Sequence, residues 1–227
     1  MIKFVLLDLD DTIFDFHLAE KTALSQTLKE MGILPTDSVI SRYSEINREH
    51  WQRLERGELT REQVLVNRFD ALYRELGIEA SAKKTQDIYE YRLSLEHPFI
   101  DGAVDMLEAL HKSYRLYVVS NGTAIVQDRR ISESGIGKYF DDIFISQRVG
   151  ADKPDRRFFD YCAQRIDGYD PKATIIVGDS LTSDILGGKE AGIITCHYNP
   201  KDKPYTDIAP DYKIRSLSEL AGLIASL

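Results

Sequence analysis

Short apolar runs recur along the chain at Ile2–Leu7, Leu116–Val119, Ile143–Ile145, Thr174–Val177 and Ile193–Thr195. None of them alternates with polar residues, so each is expected to be a strand buried on both faces. Apolar residues at helical spacing fall between most of these runs, and alternation of that kind predicts an α/β fold with a mostly parallel sheet.

One interval breaks the rhythm. About a hundred residues without a convincing strand separate the first two runs, far more than a crossover helix requires. The interval reads as helices. Leu18–Met31 stops at Gly32, and Val39, Tyr43, Ile46 and His50 share one helical face. Thr60-Arg-Glu-Gln63 is a capping box ahead of Leu65, Phe69, Leu72 and Leu76, with Gly77 as the stop. A fourth helix runs from about Ser81 to Leu95, before Pro98. The expected division is an α/β core from residues 1–13 and 98–227, with an inserted helical domain over residues 14–97. Tyr198–Pro210 is expected to be a surface loop, followed by a strand near Tyr212 and a helix capped by Ser216 and Glu219.

With 227 residues and 43% hydrophobic content, the chain can bury one sizeable core or a core plus a smaller insert. The first apolar run contains Lys3 and ends in carboxylates, which predicts neither a secretory signal nor a membrane span, and a cytoplasmic location is expected. Cys162 and Cys196 lack metal-ligand spacing and are expected to be reduced, partly buried thiols. The net charge of −8 disfavours a broad surface for nucleic acid or anionic membrane, so the expected partner is a small molecule in a local site, on a monomer or homodimer.

The chemistry collects at the strand ends, where open parallel sheets bind ligands. The first strand runs into Asp8 and Asp10, the second into Ser120-Asn-Gly122, and the fourth into Gly178-Asp-Ser-Leu-Thr-Ser-Asp184. The loop after the third strand supplies Lys153-Pro154. Asp8, Asp10, Asp179 and Asp184 therefore face one lysine, and like charges about 4 Å apart repel by about 4 kcal/mol at an effective dielectric of 20. Such a site needs a cation. Carboxylates without His or Cys partners suit a hard ion, with Mg2+ the best match. Beside it, the first carboxylate can attack phosphorus to give an aspartyl-phosphate, and Asp10 can exchange protons with the leaving oxygen and with water. Period-two alternation is expected to set Asp8 and Asp10 on one side of a continuing strand. Ser120 and the amides near Asn121 and Gly122 suit phosphoryl oxygens, and Lys153 offsets charge on nucleophile and phosphate.

Asp8-Leu-Asp-Asp-Thr12, Ser120-Asn-Gly122, Lys153-Pro154 and Gly178-Asp-Ser-(three residues)-Asp184 resemble, in order, the four motifs of haloacid dehalogenase superfamily phosphatases. The resemblance spans essentially the whole chain. It implies a three-layer Rossmann-like core with an α-helical cap, Asp8 as nucleophile and Asp10 as acid/base. It also implies metal ligation by Asp8, the Asp10 carbonyl and Asp179, with Asp184 acting through a water. Within the insert, Tyr43-(three residues)-Asn47-(three residues)-Trp51, with Gly57 and Arg68-Phe69, resembles the caps of pyrimidine 5′-nucleotidases. A flat base would stack on Phe16 or Trp51, and Phe16, Asn47, Trp51 and Arg68 are the candidate substrate residues.

The plainer readings differ from site to site. Asp11 is expected to shape a turn, Asp15 to cap or face solvent, and Ser180 to be an N-cap. Arg129-Arg130 is expected on a helix surface or in a structural salt bridge rather than as a phosphate clamp. Sugar-phosphate or phosphoglycolate phosphatase, phosphosugar mutase and a non-catalytic phosphate-binding module are the alternative functions. A hydrolytic dehalogenase has no leaving alkoxide to protonate, and Asp10 speaks against it.

Overall fold

The computed structural model describes residues 1–205 and 207–227; residue 206, inside the expected Tyr198–Pro210 loop, lies outside the described residues. The chain divides into two compact units, one formed by Met1–Phe16 with His97–Leu227 and the other by His17–Glu96.

Among the described residues, the first unit is built on six strands, β1 (Phe4–Leu7), β2 (Arg115–Ser120), β3 (Asp142–Ile145), β4 (Thr174–Gly178), β5 (Ile194–Tyr198) and β6 (Tyr212–Ile214). They form one sheet in the order β3-β2-β1-β4-β5-β6, and every neighbouring pair is parallel. The period-two pleat divides each apolar run between two layers. Val5, Leu7, Val118, Ile175 and Val177 point into one core, and Phe4, Leu6, Tyr117, Val119 and Ile176 into the other.

Among the described residues there are ten α-helices: α1 (Phe16–Glu30), α2 (Asp37–Glu55), α3 (Arg61–Leu76), α4 (Ala82–Ser94), α5 (Ala103–Leu110), α6 (Ala124–Ser134), α7 (Ser146–Val149), α8 (Arg156–Arg165), α9 (Leu186–Glu190) and α10 (Leu220–Ala225). Met106, Leu107 and Leu110 of α5, Ile131 of α6 and Leu220 and Ile224 of α10 close one face of the sheet. Phe158, Phe159 and Cys162 of α8 close the other. Both cysteines are free and buried. Among the described residues, no helix is long and apolar enough to cross a membrane.

Two strand limits differ from the sequence pattern. The β1 ladder ends at Leu7, with one further bond from Asp8 N to Val177 O (2.9 Å). The chain then turns, because Ile13 and Phe14 both donate to Leu9 O (2.9 and 2.8 Å) and Asp11 adopts φ 57°, a left-handed conformation that Asp tolerates better than most residues. Tyr198, assigned above to a loop, is instead the last residue of β5 and pairs with Ile214. The strand expected through Thr195 continues further, and Cys196 and His197 disguised its end, where Thr195 to Tyr198 are all buried.

The second unit contains nearly all of α1 and the whole of α2, α3 and α4. Its centre is aromatic: the Tyr43 ring lies 4.9 Å from Phe69 and 5.7 Å from Tyr89, with Phe69 and Tyr89 5.6 Å apart. Helix α3 has a complete capping box, with Thr60 Oγ1 accepting from Gln63 N (3.3 Å) and Gln63 Oε1 accepting from Thr60 N (2.9 Å). Gly77, at φ 64°, ends the helix in the left-handed region. Thr60→Ala should cost about 1 kcal/mol of local stability. Faster amide hydrogen exchange confined to the first turn of α3 is the expected readout.

Candidate active site

The site sits past the carboxyl ends of β1, β2 and β4. Asp8 extends β1, and Asp179 follows β4 directly. A π turn over Leu181–Ile185 brings Asp184 back toward the strand ends, with both Asp184 N and Ile185 N donating to Ser180 O at 3.1 Å. Such one-residue expansions of a helical turn re-aim side chains and recur at functional sites. Ser180 caps this turn by accepting from Ser183 N (3.2 Å). Gly178 makes room for the arrangement, since a Cβ there would lie 2.2 Å from Asp184 Oδ2.

Asp8, Asp179 and Asp184 each offer a carboxylate oxygen, and the three oxygens lie within 4.8 Å of one another. Lys153 stands among them. Its ammonium donates to Asp8 Oδ1 (2.7 Å), Asp184 Oδ1 (2.6 Å) and Val119 O (2.7 Å). All three hydrogens are therefore taken by protein acceptors. Burial opposes the charge on Lys153, but Asp184 and Asp8 outweigh it and hold the amine protonated above its usual range. The carboxylates remain in excess. Burial lifts Asp8 to about 8, with Lys153 pulling it down and Asp184 pushing it up. Burial, then Asp8 and Asp184, raise Asp179 well above the usual carboxylate range. A purely oxygen donor set with uncompensated charge fits a hard divalent cation.

Lys153 owes its place to a reciprocal clamp. Asn121 Nδ2 donates to Lys153 O and Lys153 N donates to Asn121 Oδ1, both at 2.8 Å. The Asn121 side chain thus acts on the lysine loop. Ser120 Oγ accepts from Gly122 N (3.1 Å) and from Gln127 Nε2 (3.0 Å). Both lone pairs are engaged, which leaves its hydroxyl proton to donate, as a phosphoryl oxygen requires.

Asp10 stands apart from the carboxylate trio. Its Oδ2 accepts from Gln127 Nε2 (2.7 Å) and its Oδ1 from Arg130 Nη1 (2.5 Å). The basic pair expected on a helix surface or in a salt bridge splits in two. Arg129 makes an exposed ion pair with Glu133, whereas Arg130 is fully buried and holds the candidate acid/base. Gln127 and Arg130 were missed as site residues. Their signal was an i, i+3 polar pair in the helix that follows Ser120-Asn-Gly122. His197, also missed, meets Asp179 O through Nε2 (2.8 Å) and Tyr205 Oη through Nδ1 (2.9 Å). Burial lowers its pKa, so the ring is held toward its neutral form.

In the helical unit, Asn47 and Arg68 are buried and joined to each other. Arg68 Nη1 donates to Asn47 Oδ1 (2.6 Å) and Nη2 to Gln86 Oε1 (2.8 Å). Asn47 Nδ2 donates to Glu20 Oε1 (2.7 Å), and Ser44 donates to the other Glu20 oxygen. Arg68 also lies 5.8, 5.4 and 5.0 Å from the ring centres of Tyr43, Phe69 and Tyr89. Trp51 is half-buried, with the Arg61 guanidinium 5.5 Å from its ring. Phe16, at the start of α1 and the last residue of its segment in the α/β unit, is half-buried too.

Residues 2–192 match the family model of the haloacid dehalogenase-like hydrolases. The HAD-hydrolase YfnB of Bacillus subtilis is 41% identical over 221 residues, covering 97% of this chain and 94% of its own. The pyrimidine 5′-nucleotidase PynA of Streptococcus pneumoniae is 36% identical over 220 residues, covering 96% and 93%. The crystal structure of YfnB bound to magnesium superposes with a TM-score of 0.94 at 39% identity and 98% coverage of both chains. With strand-end acids, serine and lysine arranged on this sheet, the chain belongs to the haloacid dehalogenase-like hydrolases.

Proposed function

We propose that this hydrolase is a magnesium-dependent phosphomonoesterase acting through an aspartyl-phosphate on Asp8, with a pyrimidine nucleoside 5′-monophosphate as substrate. The observation that carries the proposal is the division of labour among the acids. Asp8, Asp179 and Asp184 crowd together, with one lysine paired to Asp8 and Asp184, while Asp10, two residues from the nucleophile, is held by a separate set of donors. Similarity to a protein named pyrimidine 5′-nucleotidase supports the substrate class, and similarity to a magnesium-bound structure supports the metal.

In the proposed reaction, an Asp8 oxygen attacks phosphorus as the ester P–O bond breaks, and Asp10 gives its proton to the departing oxygen. The Asp10 carboxylate then takes a proton from the water that attacks phosphorus. The bond to Asp8 breaks, orthophosphate leaves, and both carboxyl groups return to their starting states. Magnesium held by Asp8, Asp179 and Asp184 would offset the negative charge shared by nucleophile and phosphoryl group. Ser120 donates to a phosphoryl oxygen, together with amides near Asn121 and Gly122. Lys153, whose hydrogens are engaged by protein, acts on the phosphate through its charge. For the leaving nucleoside, Phe16 offers an aromatic face. Asn47 and Arg68 act by shaping the helical unit that carries Trp51.

Phosphate release in magnesium from a panel of pyrimidine and purine monophosphates, sugar phosphates and phosphoglycolate tests the proposal. Pyrimidine monophosphates should be preferred, and Asp8→Asn should lower turnover more than about 10³-fold without unfolding the chain. Full activity in that variant would overturn the mechanism, and a sugar-phosphate preference would overturn the substrate class. Chelation of the metal should silence the enzyme, with activity restored by added magnesium.

The ionisation of Asp8 supplies a separate check. Its folded pKa of about 8 lies above the ordinary 3.8, so between these values the folded state binds more protons than the unfolded one. The Asp8 contribution to stability is therefore lost progressively as pH rises through that window. Asp8→Asn cannot ionise. In thermal melts without metal, its stability relative to the unmodified chain should increase steadily from about pH 4 to about pH 8. A flat difference would refute the burial of an uncompensated charge.

A further inference from the structure

Resting on the phosphatase proposal, we infer that Arg130 and Gln127 are positioning residues that hold Asp10 for proton transfer and orient Ser120 toward the phosphoryl group.

The inference starts from hydrogen-bond polarity. Arg130 has donors only, and its Nη1 bonds Asp10 Oδ1 at 2.5 Å and Gln127 Oε1 at 2.9 Å. That contact decides which way the Gln127 amide faces. Its oxygen is turned to Arg130, and its NH2 must face the other side. There Nε2 meets Asp10 Oδ2 at 2.7 Å and Ser120 Oγ at 3.0 Å. One amide thus joins the acid/base to the phosphate-binding serine, and it fixes the serine as an acceptor on that side and a donor outward.

The support is rigid. Gln127 and Arg130 lie one turn apart on α6, 1% and 0% exposed. The guanidinium lies 4.7 Å from the centre of the buried Phe14 ring, a contact that adds attraction to its burial. Phe14 is bridged to Asp10 and to Phe99. Gly122 completes the fit, because a Cβ at that position would stand 2.3 Å from Gln127 Nε2. The glycine after Ser120-Asn121 therefore leaves the space that Gln127 fills.

The chemistry sets a test that loss of folding cannot imitate. A nucleoside 5′-monophosphate leaves as an alkoxide and needs a proton from Asp10, whereas p-nitrophenyl phosphate leaves as a stabilised phenolate and needs little help. Steady-state kinetics in saturating magnesium on uridine 5′-monophosphate and p-nitrophenyl phosphate should separate the roles. Arg130→Met should lower kcat on the nucleotide by about 100-fold and on the aryl ester by only a few-fold. Arg130→Lys, which keeps the charge and a donor, should recover part of the loss. Gln127→Leu removes the link to both partners. It should reproduce the nucleotide defect in kcat and also raise KM for both esters, because Ser120 loses its orientation.

Equal losses on the two esters in folded variants would overturn the inference, as would unchanged kcat on the nucleotide in Gln127→Leu. If Arg130→Met fails to fold, Arg130→Lys and Gln127→Leu carry the same ester comparison. Silence of the unmodified protein on both esters would overturn the phosphatase proposal and this inference together.

Discussion

Too much negative charge in too little space governs the α/β unit. Three carboxylates crowd together, two of them paired with a single buried ammonium, at a point where the sheet ends and backbone ladders no longer dictate geometry. Such an arrangement is poor as a source of stability, since desolvating ions costs more than one pairing returns. Its constraints are visible around it. Gly178 has no side chain because Asp184 occupies that space, and a π turn re-aims the second carboxylate. His197 braces the Asp179 backbone from the neighbouring strand. Much of the local irregularity serves to hold charges that would otherwise separate.

The helical unit meets a related problem with a different solution. Arg68 is buried among three aromatic rings, and the Asn47 amide links it by hydrogen bonds to Glu20. Burial raises the Glu20 pKa, against the hydrogen bonds from Ser44 and Asn47 and the charge of Arg68. A connected polar chain of this kind specifies one packing of α1 to α4, because displacing a member leaves a desolvated partner behind. Asn47 and Arg68 are thus parts of an internal framework, a setting that helical periodicity alone could not distinguish from a substrate-facing one.

Legibility followed the range of the interactions. The apolar runs announced the sheet because burial on both faces leaves no polar alternation, and Thr60 and Ser216 announced helix starts because a capping box closes within four residues. The strand-end acids were visible because their types and spacing are chemically unusual. Arg130 makes the salt bridge that was one of its two expected settings, but its partner, Asp10, lies 120 residues away, so no local pattern could name it or reveal the depth of its burial. Tyr198 was misplaced for a related reason: His197, which precedes it, reads as polar until its partners Asp179 and Tyr205 are known. The turn expected at Asp11 is present, with Asp11 left-handed, but Asp8-Leu-Asp-Asp did not show that it ends the strand before Asp10.

The Asn121–Lys153 clamp also bears on how the chain can vary. Its two hydrogen bonds join residues 32 positions apart, at the root of the excursion that contains α6, β3 and α7. With the root tied, the length of the surface turns inside that excursion is uncoupled from the position of the Lys153 ammonium. Loop-closure entropy grows only slowly with length, so insertions at exposed positions of that excursion, clear of the core residues Ile136 and Tyr139 between α6 and β3, are tolerable in a way that a single-residue slip at either end of the clamp is not. Descendants of this sequence can remodel that flank of the molecule while the lysine stays in register with the acids it balances.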